Sequence, residues 1–147
     1  MDILGISAFY HDSAACLMRD GKVIAAAQEE RFTRVKHDSS FPYHAIQYCL
    51  KAGNIEGKDL DMVSFYEKPM LKFDRVMETF LQTSPQTPLI FSRAMSSWFS
   101  EKFRLPERLK EELGFEGKIL FASHHEAHAA SAFFLSPYSE AAILTVD

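Results

Sequence analysis

Ala14-Ala15-Cys16-Leu17-Met18-Arg19-Asp20-Gly21-Lys22-Val23-Ile24-Ala25-Ala26-Ala27-Gln28 decides the class of this fold. Two apolar runs meet at Asp20-Gly21, and Asp-Gly in that setting signals a two-residue hairpin, because both central residues of a type I′ turn need positive φ. Ahead of it, Asp2 to Phe9, with Ile3, Leu4 and Ile6, reads as a buried strand that delivers the polar loop Tyr10-His11-Asp12-Ser13. The chain therefore opens as an antiparallel meander. Glu29 to Ser40 follows as a basic excursion with Arg31, Arg34, Lys36 and His37, bounded by Phe41-Pro42. Pro42 suits a first helical turn, and Ala45, Ile46, Tyr48, Cys49 and Leu50 keep helical spacing until Gly53-Asn54, which predicts a helix of about three turns.

Leu60 to Tyr66 is a further short apolar run, ended by Glu67-Lys68-Pro69, and predicts a strand. From Met70 to Leu81 apolar residues recur every 3.6 positions, and the two prolines between Ser84 and Pro88 break that pattern. A second helical stretch runs from Phe91 towards Leu113, with Pro106 interrupting it and Gly114 ending it. Residues 70–113 thus read as helices inserted between strands, with Phe73, Phe80, Trp98, Phe99 and Phe103 at core spacing. Lys118 to Ala122 predicts a strand that leads into an Ala-rich helix, and Glu140 to Asp147 predicts a last strand. The class is α/β with a mixed sheet, in one domain. A strand at Asp147 with no turn or polar tail behind it is the pattern of a domain cut from a longer chain.

The composition is that of a globular domain: 147 residues, 47% hydrophobic and 24% charged, which excludes disorder as the main state. A net charge of −4 gives no support for nucleic acid or an anionic membrane as partner. The two cysteines, Cys16 and Cys49, form no C-x-x-C motif and read as small buried apolar residues, so a reducing cytoplasm is the expected compartment. Neither a secretory signal nor an apolar run of membrane-spanning length is visible.

His124, His125 and His128 are the densest chemical signal. On a helix, 124 with 128 (i, i+4) and 125 with 128 (i, i+3) each share a face and can share one metal ion. The segment is one residue short of the H-E-x-x-H of zinc proteases, which removes Glu126 as their general base. The P-C-x-x-C of zinc deaminases is absent too. A histidine-rich helix start without a ligand is the plain alternative. Asp147 ends the next predicted strand, and strand ends converge with a neighbouring helix start at one rim of an open sheet. Two imidazoles and a carboxylate suit iron, zinc or manganese alike. In the first loop, His11 and Asp12 suit a general base and its orienter, or else a simple turn. Lys36 and His37 suit an anion, or else a solvated loop.

Ile3-Leu4-Gly5-Ile6-Ser7 with His11-Asp12-Ser13-Ala14-Ala15, Glu29-Glu30-Arg31-Phe32-Thr33-Arg34 with Lys36-His37-Asp38, Phe65-Tyr66-Glu67-Lys68-Pro69, His124-His125-x-x-His128-Ala129 and Ser136-Pro137-Tyr138 together resemble the O-carbamoyltransferases of the nodulation and antibiotic-tailoring family. The resemblance runs from Ile3 to Asp147. It implies the first lobe of an actin/Hsp70-like (ribonuclease H-like) fold, similar to the domains that transfer threonylcarbamoyl groups to tRNA and carbamoyl groups in hydrogenase maturation. It further implies an iron-type metal on His124, His128 and Asp147, with His125 behind them. Members make carbamoyl-adenylate from carbamoyl phosphate and ATP in a separate C-terminal domain, then pass the carbamoyl group to a hydroxyl of a sugar or antibiotic. On that basis His11 or Asp12 assists proton removal, Lys36 contacts substrate, and the chain is an N-terminal lobe inactive by itself. The competing expectation is a non-catalytic module of the same fold that binds a partner or forms a homodimer through an open sheet edge. A tRNA-modifying relative fits the acidic balance and the Glu29 to Lys36 segment less well.

Overall fold

The computed structural model describes residues 1–10, 12–68, 74, 77, 78, 82 and 104–146. Strands β1 (Asp2–Ser7), β2 (Ala14–Arg19) and β3 (Lys22–Gln28) form the expected meander, with β2 antiparallel to both neighbours. Asp20 and Gly21 have φ of 50° and 78°, the positive values that the type I′ turn requires. Strand β4 (Met62–Phe65) lies parallel to β1, and β5 (Lys118–Phe121) parallel to β4. The result is a five-stranded mixed sheet in the order β3-β2-β1-β4-β5.

The α-helices whose bounds are described are α1 (Glu30–Thr33), α2 (Tyr43–Gly53), α3 (Leu105–Leu113) and α4 (His124–Phe133), with a 3-10 turn at Gly57–Asp59. Helix α2 buries Ala45, Ile46, Cys49, Leu50 and Gly53, a stripe at helical spacing, against β2 and β3. Leu4, Ile6, Leu17, Val63 and Phe65 supply the sheet's side of this core, each of the larger chains stabilising by roughly 1.5–3 kcal/mol on burial. A Cβ at Gly53 would overlap the Leu17 side chain, so glycine lets the end of α2 approach β2. Arg19 at the end of β2 pairs with Asp2 at 2.6 Å and donates to the Gly53 carbonyl at 3.0 Å, tying strand ends to that helix end. In α3, Leu105, Leu109 and Leu113 face the core. Pro106 lies in its first turn rather than breaking it, where the missing N–H has no intrahelical partner to lose. Gly114 ends the helix in the left-handed region.

The helix predicted over Met70 to Leu81, the part of the second stretch before Arg104, and the aromatics Phe73, Phe80, Trp98, Phe99 and Phe103 fall outside the described residues, save that Asp74, Met77, Glu78 and Gln82 are helical. The strand predicted over Glu140 to Asp147 is corrected. Residues 141–146 are irregular, with Leu144 88% and Val146 81% exposed. Alternating apolar residues become a strand only where another strand takes up their backbone hydrogen bonds, and no described strand pairs with this segment. Among the described residues no helix is long and apolar enough to cross a membrane.

Pro42 sits at the N-cap of α2, just ahead of the first turn in which it was expected, and gives the helix no side-chain cap. Glu29 does so from the end of β3. Its carboxylate, only 1% of the residue being exposed, accepts from the backbone N–H groups of His44 (3.1 Å) and Ala45 (2.8 Å), and lies 2.6 Å from His44 Nδ1. The basic excursion therefore begins with a buried acid that satisfies the orphan amides of a helix 14 positions on, counted from Glu29 to Tyr43. Glu29→Ala should lower the urea-unfolding free energy by at least roughly 1.5–3 kcal/mol, the worth of one hydrogen bond to a charged group. Glu29→Gln, which keeps an acceptor, should lose less in the same measurement.

Candidate functional site

Strands β1, β4 and β5 point the same way, and β3, twice reversed, points with them. Their C-terminal ends therefore share one rim. That rim receives the loop after Ser7, the excursion after Gln28, the segment after Phe65 and the start of α4 after Phe121. Ala122 N–H donates to the Phe65 carbonyl (2.9 Å) and Tyr66 N–H to the Ile6 carbonyl (3.2 Å), carrying the parallel pairing to the rim itself.

Helix α4 begins with a capping box. Ser123 Oγ accepts from Glu126 N–H at 3.4 Å, and the Glu126 carboxylate accepts from Ser123 N–H at 3.3 Å. These hydrogen bonds from Ser123 hold the Glu126 carboxyl below its ordinary pKa. The S-x-x-E spacing was available in the sequence as a helix-start signal. It fixes the first turn, so that His124 and His128 project from one face with their Nε2 atoms 3.2 Å apart and ring centroids 4.5 Å apart. His125 lies edge-on to His124 at 5.8 Å. The edge of Tyr66 approaches His124 at 6.0 Å, and burial together with the nearby Glu67 carboxylate pushes the Tyr66 phenol up, keeping it protonated. Glu67, 5% exposed, is a buried acid at the end of β4. No motif singled it out in the sequence beyond the run in which it stands.

On the same rim, Asp12 takes a left-handed turn conformation (φ 48°), and its Oδ1 lies 2.9 Å from His37 Nδ1. The excursion that carries His37 is stitched to the first loop: Ser13 N–H donates to Asp38 O, Phe9 N–H to Ser39 O, and Ser13 Oγ to Ser40 O, at 2.8, 2.8 and 2.6 Å. Ser13, expected as a turn residue, is wholly buried in this seam. Asp38 closes the excursion on itself, accepting from Thr33 Oγ1 (2.7 Å) and Ser40 N–H (2.9 Å). Lys36 is exposed. His37 is thus paired with an acid of the first loop, a meeting that 25 residues of separation hide from the sequence.

The structure brings His124 to His128 and Asp12 to His37. His11 and Asp147 lie outside the described residues. A cavity of about 750 Å³ runs between the small side chains of the sheet, among them Gly5, Ala14, Cys16 and Ala26, and the Ala127–Ala130 face of α4. Tyr66 borders both this cavity and His124. Burial raises the thiol pKa of Cys16 and Cys49, the latter to about 11; Cys49 is the buried apolar residue expected, whereas Cys16 is half-buried and borders the cavity.

The family pattern described as "Carbamoyltransferase N-terminus" matches residues 2–147. An uncharacterized protein of Synechocystis, sll1178, is 51% identical over 153 residues, covering 99% of this chain and 25% of its own length. Nodulation protein NolNO of Sinorhizobium fredii is 38% identical over 142 residues, covering 95% of this chain and 20% of its own. An uncharacterized 19.2 kDa protein of Rhizobium etli is 36% identical over 89 residues, 60% of this chain and 52% of its own length. The chain thus spans a quarter or less of the length of the first two.

The seam yields a pH signature. Hydrogen bonds from Ser40 and then Thr33 hold the Asp38 carboxyl below its ordinary value near 3.8. A depressed folded pKa contributes stability above the unfolded value and loses it as pH falls through the folded one. Asp38→Asn should therefore destabilise the protein at pH 7, and the gap to wild type should close as unfolding is followed from about pH 5 down through the Asp range near 3.9.

Proposed function

From the premise that this chain belongs to the carbamoyltransferase family, as its N-terminal part, we propose that it is the first lobe of an O-carbamoyltransferase whose complete form passes a carbamoyl group to a hydroxyl of a sugar or natural-product acceptor. The observation that carries this reading is the His124–His128 pair, set by a capping box at the rim where the parallel strands end. The strand order β3-β2-β1-β4-β5, three antiparallel members followed by two parallel ones, supports an actin/Hsp70-like, ribonuclease H-like lobe.

The pair suits a metal. Two nitrogens bound about 2.0–2.1 Å from a tetrahedral ion stand roughly 3.3–3.4 Å apart, and the observed 3.2 Å needs almost no adjustment. We assign His124 and His128 as ligands of a divalent ion, iron by family resemblance, with Asp147 as the carboxylate. When bound, such an ion supplies Lewis-acid polarisation of a carbonyl or phosphoryl oxygen.

The chain's own residues do the rest. His11 or Asp12 accepts the proton of the acceptor hydroxyl, and Lys36 offers its ammonium to an anionic substrate. Tyr66, its ring beside His124 and its phenol held protonated by burial and by Glu67, is neutral and not a base. Carbamoyl phosphate and ATP, joined as carbamoyl-adenylate, are the proposed co-substrates, and the cytoplasm is the proposed compartment.

The complete protein should modify a hydroxylated acceptor only when both carbamoyl phosphate and ATP are supplied. A His124→Ala, His128→Ala double variant should fall to background and lose its bound metal by elemental analysis. Full activity in that variant defeats the assignment.

A further inference from the structure

We propose that Asp12, Glu30 and His37 form a second cation site, for a divalent metal of the zinc or manganese class, separate from the His124–His128 pair. One ligand atom from each of the three lies within 4.8 Å of the other two. They come from three places in the chain: the loop after β1, the first residue of α1 and the outer part of the excursion.

The donor set is mixed. It offers one imidazole nitrogen and two carboxylates, a combination that borderline first-row cations accept and that calcium or magnesium, which favour all-oxygen shells, do not select. Asp12 Oδ1 and His37 Nδ1 stand 2.9 Å apart. Ligands about 2.0–2.2 Å from a tetrahedral ion are separated by roughly 3.3–3.6 Å, so the pair needs to open by only a few tenths of an ångström. Glu30 offers its carboxylate oxygen within 4.8 Å of both.

The frame is built before any ion arrives. Ser13 N–H to Asp38 O and Glu29 N–H to Ser13 O, both 2.8 Å, fix the backbone next to each of the three ligands. The Glu30 carboxylate accepts from His37 N–H at 3.2 Å and takes Arg31 at 3.4 Å, the kind of outer partner that orients a ligating carboxylate. Arg31, Arg34 and Lys36 oppose a cation through space, so recognition rests on direct ligation rather than on the field of the loop. This also favours a strongly ligated transition ion over a loosely held alkaline-earth one. The site goes beyond the function proposed above and meets it at one point: with Asp12 as a ligand, proton removal falls to His11.

The test uses the complete protein carrying His124→Ala and His128→Ala, stripped of metal and titrated calorimetrically with zinc chloride. Zinc binding is expected to persist in that background and to weaken by at least about tenfold, the lower bound for losing even an outer partner, when either His37→Ala or Glu30→Gln is added. Absence of zinc binding in the double variant overturns the proposal, and so does an isotherm left unchanged by both added substitutions. Circular dichroism checks folding, and the near-isosteric Glu30→Gln decides the outcome if His37→Ala unfolds. Activity is not the readout, so failure here and failure of the carbamoyl-transfer reading are told apart.

Discussion

Ile3 opposite Met62 and Val63 opposite Ile119 set β1, β4 and β5 in parallel register, and everything placed at the candidate site follows from that alignment. Had β4 run the other way, its end would have delivered Tyr66 and Glu67 to the far edge of the sheet, away from the first loop and from α4. Parallel neighbours cannot be joined by a tight turn and need a crossover. The chain provides one through α2 and another that includes α3. Burial of Leu4, Ile6, Val63 and Phe65 on the α2 face makes the register costly to shift, since a slip of one residue would turn each of them to the opposite side.

The rim is held by hydrogen bonding more than by packing. The excursion after β3 has few buried apolar residues, yet Glu29 and Ser13 at its base are almost fully buried and their polar atoms are met. A buried carboxylate is destabilising when alone and stabilising when several donors surround it. The three donors around Glu29 decide the sign here, and through them the start of α2 fixes the start of the loop that carries Lys36 and His37. The opposite sheet face is lined by Gly5, Ala14, Cys16 and Ala26, too small to fill the space beside α4, and a cavity results.

Much of this was legible in the residues. The Asp20-Gly21 hairpin, the apolar stripe of α2, the strands around Val63 and Leu120, the Gly114 stop and the shared face of His124 and His128 all depend on contacts within a few positions of sequence. The family resemblance was legible for the same reason, as runs of adjacent residues. What misled was the stretch after Glu140, where period-two apolarity describes a strand only if a partner lies alongside, and Pro106, which breaks a helix in its interior but not in its first turn.

Local rules thus determined the opening hairpin, the stripe and stop of α2, the strands around Val63 and Leu120, and that two histidines share a helical face, because φ/ψ preference and side-chain periodicity act over one or two turns of chain. Only the tertiary structure decided that Glu29 caps α2, that Ser13 is buried in a seam, that Asp12 meets His37 and that Tyr66 stands beside His124. Those pairings join residues from about 15 to 58 positions apart, as with Glu29 and His44 or Tyr66 and His124. The free energy of closing such loops is returned by the sheet and its core rather than by the pairs themselves, so no local pattern marks them in advance.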